Sequence, residues 1–232
     1  MSITISVKKG EEAVDFQVPT EWNEITLRHW GELAYIIKQH QDTSKLKENS
    51  LEDRFQIEGM VGDEMDKLTE KISFYNEVHL NRDIFCYLSG LDREDMQYVD
   101  MNQVAMVINT IGILTEEYEP KGMKSFELDG ETYYFPSEFL RKNTYGDYIE
   151  ATQLDMYIDS MKNGKYDVLP EQMAILCRKE DEKYDEDKIE EKAEKFKNLT
   201  MDIIFEFSFF LTSRSVNLMT HSSIYLEKNA SQ

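Results

Sequence analysis

The chain has 232 residues, enough for one large domain or two of about 115 residues each. A hydrophobic share of 41%, with 12 Phe and 13 Tyr, supplies packed cores and excludes general disorder. The net charge of −20 excludes nucleic-acid binding by phosphate neutralisation, which needs a basic patch.

In chain order, Ile3, Ile5 and Val7 alternate with polar residues before Gly10, and Val14, Phe16 and Val18 do so after it. That period of two predicts a hairpin with one buried face. Pro19 lacks a ladder donor and ends the second strand. Thr26 is placed to cap the next helix, whose Leu27, Trp30, Ala34 and Ile37 fall on one stripe. Gln41 to Gly59 is read as a polar segment. Met65, Leu68, Ile72, Tyr75 and His79 then form a second stripe, and Asn81 to Ser89 a short apolar helix closed by Gly90. Asp100 and Gln103 form a capping-box pattern ahead of Val104, Ile108, Ile111 and Thr115. Glu116 to Met123 contains Pro120 and Gly122 and is read as the boundary between domains 1–118 and 123–232.

The second half replays this order. Phe126 and Leu128, then Gly130, then Tyr133 and Phe135 predict a hairpin. Thr144, with Asp147 three residues on, opens a helix carrying Tyr148, Ile149, Thr152 and Met156, which Asn163-Gly164 stops. Pro170 is expected in the first turn of a short apolar helix through Cys177. One long helix is expected from Asp187 to Leu211, reaching about 36 Å at the standard rise. Thr212 to Gln232 is Ser/Asn-rich and is expected to dock loosely or extend.

The two halves share more than their order. Pro19-Thr20-Glu21-Trp22 matches Pro136-Ser137-Glu138-Phe139 at an offset of 117, and Thr26, Trp30 and Glu32 match Thr144, Tyr148 and Glu150 at 118. A repeat of such long period suggests duplication. The matched positions are apolar, turn-forming or capping types, so the repeat encodes architecture. Core packing is preferred to a binding groove for Trp22/Phe139 and Trp30/Tyr148.

Catalytic signatures are missing: no Gly-rich phosphate loop, no Gly-x-Ser-x-Gly elbow and no His-Glu-x-x-His helix. No catalytic, cofactor-binding or metal residue is assigned. The four histidines are dispersed, and their spacing supports no zinc site. The acidic run from Asp185 has Glu190 where a calcium loop needs Gly. Arg178 to Lys197 holds nine acids against seven bases, with Glu191 and Lys195 four apart, which fits a solvated helix face. Cys86 and Cys177 sit among aliphatic and aromatic residues and read as buried free thiols. The first residues lack a basic region followed by an apolar one, and Leu199 to Leu211 is too short and too charged to span a bilayer. A cytosolic chain with no membrane partner is expected.

Tyr133, Tyr134 and Phe135 form an aromatic strand, able to add a partner strand if it lies at a sheet edge and otherwise sheet core. Phe205 and Phe209 lie off the stripe of Phe196, Ile203, Phe207 and Phe210. These five residues, Tyr133, Tyr134, Phe135, Phe205 and Phe209, are the candidate partner-binding positions.

The run from Asp129 to Pro136, then Thr144 to Ala151, resembles small hairpin-plus-helix proteins encoded in tailed-bacteriophage morphogenesis regions. Leu169 to Leu176, Glu182-Lys183-Tyr184-Asp185, the following charged helix ending in Phe209-Phe210-Leu211, and Val18 to Thr26 are similar to parts of the same group. These are tail-assembly-chaperone-like proteins, with related virion components in phages of Bacteroidota. The resemblance covers about 60% of the chain in pieces and rests on core and turn residues. It implies a non-enzymatic role in building the tail or neck, in host cytoplasm during assembly or in the virion, with other phage structural proteins as partners and a homo-oligomer as a further option. Two copies in one chain depart from the usual single unit.

The expected fold is α+β, mostly helical, with two repeats of a β-hairpin followed by a helical bundle. The alternative function is an acidic nucleic-acid mimic that blocks a DNA-binding enzyme, which −20 allows. That role needs acids arrayed along one face, whereas the most charged run alternates in sign. An enzyme is a third class without a positive sign in the sequence.

Overall fold

Alternation along Ile3–Lys9 (β1) and Glu12–Val18 (β2) produces an antiparallel hairpin in the register Ile3↔Val18, Ile5↔Phe16, Val7↔Val14. Ile5, Val7, Phe16 and Val18 are buried, while Ile3 at the open end is not. Gly10 turns the chain at φ +64°, a conformation that costs glycine little. A computed structural model describes residues 2–58, 63–111, 117–136 and 144–212, with the backbone alone at 44, 46–58, 63–66 and 68. The architecture is mostly helical α+β, with two two-stranded sheets among the described residues. It divides into two compact units, Met1–Glu24 with His29–Glu116, and Ile25–Arg28 with Glu117–Gln232.

In the first unit the Glu24 carboxylate accepts from the Thr20 amide at 2.8 Å and the Glu21 amide at 3.2 Å, shaping the turn Trp22–Glu24. Helix α1 spans Leu27–Glu58 and α2 spans Asp63–Ser89. Both are longer than the sequence pattern suggests. The polar segment from Gln41 is helical as far as Glu58, since neither Gly nor Pro interrupts Glu32 to Glu58. The stripe through His79 and the apolar stretch from Asn81 are one helix, closed by Gly90 at φ +70° with its amide donating to the Cys86 carbonyl at 2.9 Å. Phe85 packs its ring edge-on to Phe16 at 5.8 Å, joining α2 to the hairpin.

Helix α3, Met101–Thr110, is capped by Asp100, which accepts from the Asn102 amide at 2.7 Å. Gln103 does not complete a box; its side chain instead accepts from the Lys8 amide of β1 at 3.3 Å. Thr115 lies outside the described residues, as do Phe139 and the tail beyond Thr212. Trp22 meets Trp30 edge-on at 5.1 Å.

The second unit holds the shorter hairpin, Ser125–Leu128 (β3) and Glu131–Tyr134 (β4). Its turn residues Asp129 and Gly130 both have positive φ, 53° and 78°, the pattern for which Asp-Gly is favoured in two-residue hairpin loops. Helix α4, Tyr145–Gln153, starts at a true capping box: Thr144 Oγ1 accepts from the Asp147 amide at 3.2 Å, and Asp147 accepts from the Thr144 amide at 2.9 Å. It tightens into a 3₁₀ segment, Leu154–Ser160. Trp30 and Tyr148 are each the fourth residue of the helix that follows a hairpin, although α1 has 32 residues and α4 nine.

Helix α5, Lys165–Leu176, begins after Gly164, so Pro170 stands inside it and not in its first turn. Val168, Leu169, Met173, Ala174, Ile175 and Leu176 are all buried, so α5 contributes much of the core of this unit. Buried Gln172 is satisfied by donating to the Ala151 carbonyl at 2.9 Å and to Asp155 at 2.8 Å.

The single helix expected from Asp187 to Leu211 is two helices. Ile189–Phe196 is α6, and residues 201–212 form α7. Between them the backbone bonds elsewhere: the Lys197 and Leu199 carbonyls accept from the Arg28 and Leu27 amides, at 2.9 and 2.8 Å, and the Met201 amide donates to Ile25 at 2.9 Å. Thr26 and Thr200 thereby form an antiparallel bridge, with Ile25 and Leu27 buried. A helix cannot continue where an extended segment takes its backbone groups.

Candidate functional site

Strand β4 places the three aromatic candidates differently. The Tyr133 ring stacks on Phe126 at 5.6 Å, stands edge-on to Phe196 at 5.1 Å and carries the Lys192 ammonium at 5.4 Å. It is 7% exposed, so the expectation that it meets a partner is corrected: Tyr133 is core. Phe135 is half-buried, with its ring 5.1 Å from that of Phe126. Tyr134 is exposed, but its backbone is engaged: its amide donates to Arg178 O at 2.8 Å and its carbonyl accepts from Arg178 N at 3.2 Å. Residue Arg178 therefore covers the outer edge of β4 at Tyr134, where strand addition was expected.

The buried charges of this unit are committed to its interior. Arg178 meets Asp147 at 2.6 Å with both side chains under a tenth exposed. Burial raises the Asp147 carboxyl, but hydrogen bonds from Thr144 and Arg178 outweigh it and hold the group below its usual value. The Arg178 guanidinium also lies over the Tyr184 ring at 5.5 Å, and Tyr184 donates to Glu150 at 2.6 Å. Lys192 donates to the Cys177 carbonyl at 2.7 Å and to Glu182 at 2.8 Å. Burial lowers its ammonium below the ordinary lysine value despite Glu182. The same burial pushes the Cys177 thiol up. The exposed pair Glu191–Lys195 closes at 2.6 Å along α6.

Helix α7 holds the two remaining candidates. Phe205 is half-buried, its ring stacked on Tyr118 at 5.3 Å, so it belongs to packing within the unit. Phe209 is 56% exposed. Next to Phe205, Glu206 gathers the chain over 118–123: one carboxylate oxygen accepts from the Tyr118 hydroxyl at 2.9 Å and from the Lys121 amide, the other from the amides of Gly122 and Met123 at 3.0 and 3.1 Å. Burial pushes this carboxyl up, yet the Lys121, Tyr118, Met123 and Gly122 donors hold it below the normal range.

Exposed apolar side chains outside the five candidates lie along α4, its 3₁₀ extension and the residue after it. Tyr145 is 67% exposed, Met156 75% and Tyr157 52%, with Ile149 and Met161 also exposed. Tyr145 and Ile149 are four residues apart on one helix face. Tyr148 and Ala151 are the buried apolar positions of α4, which leaves Tyr145 and Ile149 on its outer side. Such residues on a chain with ample polar surface mark interaction sites when they gather. Met and Tyr suit that role, being respectively adaptable and amphipathic.

Among the described residues no group of three or more His, Cys, Asp or Glu is placed to hold a metal. No helix among them is long and apolar enough to cross a membrane. Comparison with protein-family models, with curated proteins and with solved structures finds no match.

Proposed function

We propose that this chain is a non-enzymatic, protein-binding assembly or structural protein of a tailed phage, acting in tail or neck morphogenesis. The observation that carries the protein-binding reading is the exposed run Tyr145, Ile149, Met156, Tyr157 and Met161 on a unit whose buried charged side chains already have partners within the chain. The phage assignment rests on the resemblance of the Asp129–Pro136, Thr144–Ala151 and Leu169–Leu176 segments to tail-assembly-chaperone-like proteins. Partners of this reading are other phage structural proteins, or a second copy of the chain, in host cytoplasm during assembly or in the virion. A duplicated hairpin-plus-helix unit, suggested by the 117 and 118 offsets, would give the chain two related modules for that task.

Mass spectrometry of purified particles and of sedimenting assembly intermediates tests the proposal. A fixed component is expected in both samples and a transient factor in the intermediates alone. Absence from both, with particle yield unchanged when the chain is deleted, contradicts it. A nucleic-acid mimic would instead bind a DNA-binding enzyme through its acids, and that binding would weaken steeply with salt.

A further inference from the structure

Helices α1 and α2 of the first unit enclose a cleft of about 570 Å³ whose polar wall is built on one buried carboxylate. Asp83 is 9% exposed, and three basic side chains converge on it. Arg93 grips both of its oxygens, Nε to Oδ1 at 3.0 Å and a terminal nitrogen to Oδ2 at 2.7 Å. Arg82 reaches Oδ1 through Nε and a terminal nitrogen, each at 2.9 Å, and His40 Nε2 lies 2.9 Å from Oδ2. Burial raises the Asp83 carboxyl, but Arg82, His40 and Arg93 together hold it below its ordinary value, so it stays ionised at neutral pH.

One carboxylate neutralises one of the two arginines. Among the described residues lining the cleft, the formal charge is therefore +1 before any histidine is protonated, in a chain of −20. Each guanidinium carries five N–H donors in a fixed fork. Asp83 engages only the Nε and one terminal nitrogen of each. The Arg93 side chain lines the cleft and is 67% exposed, which leaves the group open to solvent. Asp83 thus acts as the anchor that orients two arginines, the arrangement that suits bidentate recognition of a further oxyanion. Tyr35, Ile36 and Tyr75 line the same cleft and give it apolar and aromatic surface. Tyr75 is held against His79 with ring centroids 4.1 Å apart.

We propose that this cleft binds a small organic anion, its phosphate or carboxylate on Arg82 and Arg93 and its apolar body against Tyr35, Ile36 and Tyr75. The site lies within the first unit and does not depend on the function proposed above. Cys86 lines the same cleft and reports on its occupancy. The test titrates the full chain with phenyl phosphate, benzoate and inorganic phosphate at constant ionic strength, following the Arg Nε–Hε NMR signals and the labelling rate of Cys86.

Saturable shifts of Arg82 and Arg93 and slowed Cys86 labelling are expected with an aryl anion, at least tenfold tighter than with inorganic phosphate. The tighter of the two aryl anions names the headgroup. Arg93→Gln should weaken binding at least tenfold, whereas Arg28→Gln, at an exposed pair with Glu194 in the second unit, should not. The NMR shifts in the wild-type chain keep the test decisive should the Arg93 variant fold poorly. No saturable response to either aryl anion, equal affinity for inorganic phosphate, or binding unchanged in a folded Arg93→Gln overturns the proposal.

Discussion

Glu206 is expected to hold the 118–123 segment of the second unit in place. Its two oxygens serve four donors, two of them backbone amides on one oxygen. Glutamine in its place has one acceptor oxygen and a nitrogen that can only donate. If the nitrogen replaces the oxygen facing Gly122 and Met123, two backbone amides lose their acceptor. If it replaces the other, Lys121 loses its acceptor and Tyr118 must reverse its hydroxyl. Each charge-assisted bond contributes about 1.5–3 kcal/mol, with a smaller loss where water replaces the acceptor. Lys121 and Gly122 are exposed, so Glu206→Gln should cost about 2–3 kcal/mol. Tyr118→Phe removes one such bond and keeps the stack on Phe205, costing about 1.5 kcal/mol. The folded carboxyl lies below its ordinary value of 4.5, so its stabilisation is complete above that pH and is lost as pH falls through the folded value. Urea unfolding at pH 7 and pH 3, with hydrogen exchange of the 117–124 amides, measures both effects. Equal stability of wild type and Glu206→Gln at pH 7, or a difference that ignores pH, refutes the reasoning.

Thr144→Ala should destabilise by about 1 kcal/mol in urea titrations, and Ser at 144 should restore most of it, because the Asp147 amide needs the hydroxyl oxygen. Native-state labelling should separate the two thiols. Both were expected to be buried, but Cys86 is only half-buried, so it should react first and faster as pH rises toward its elevated pKa, while Cys177 should need denaturant. Lys192→Met keeps the apolar stem between Tyr133 and Phe196 and should cost about 1–2 kcal/mol. Lys192→Ala, which also leaves a cavity, should cost about 3 kcal/mol, both read as shifts in denaturant midpoint.

Elements governed by local chemistry were legible in the sequence. Both hairpins followed from alternation about Gly10 and Gly130, and the Thr144 cap from its carboxylate three residues on. What escaped depends on partners distant in sequence. Nothing near Asn198 announces a helix break, because the groups that replace the helical bonds belong to Ile25–Arg28. Phe205 stood off its helix stripe and looked available for a partner, yet Tyr118 occupies its face. Tyr133 was ambiguous between edge and core until Phe196 and Lys192 came to lie on it. Gln103 had the spacing of a cap, but the competing acceptor demand came from Lys8 in β1. The Asp83 cluster was hidden for the same reason: His40 and Arg93 lie 43 and 10 residues from the carboxylate they share.

The most direct test of a protein-binding role replaces Tyr145 and Met156 together with Glu and follows association with assembly intermediates from the infected host. Both side chains are largely exposed, so the circular dichroism spectrum and denaturant midpoint should remain near wild type. The expected result is a folded chain whose association falls at least tenfold. A folded double variant that associates as strongly as wild type would contradict docking through this surface.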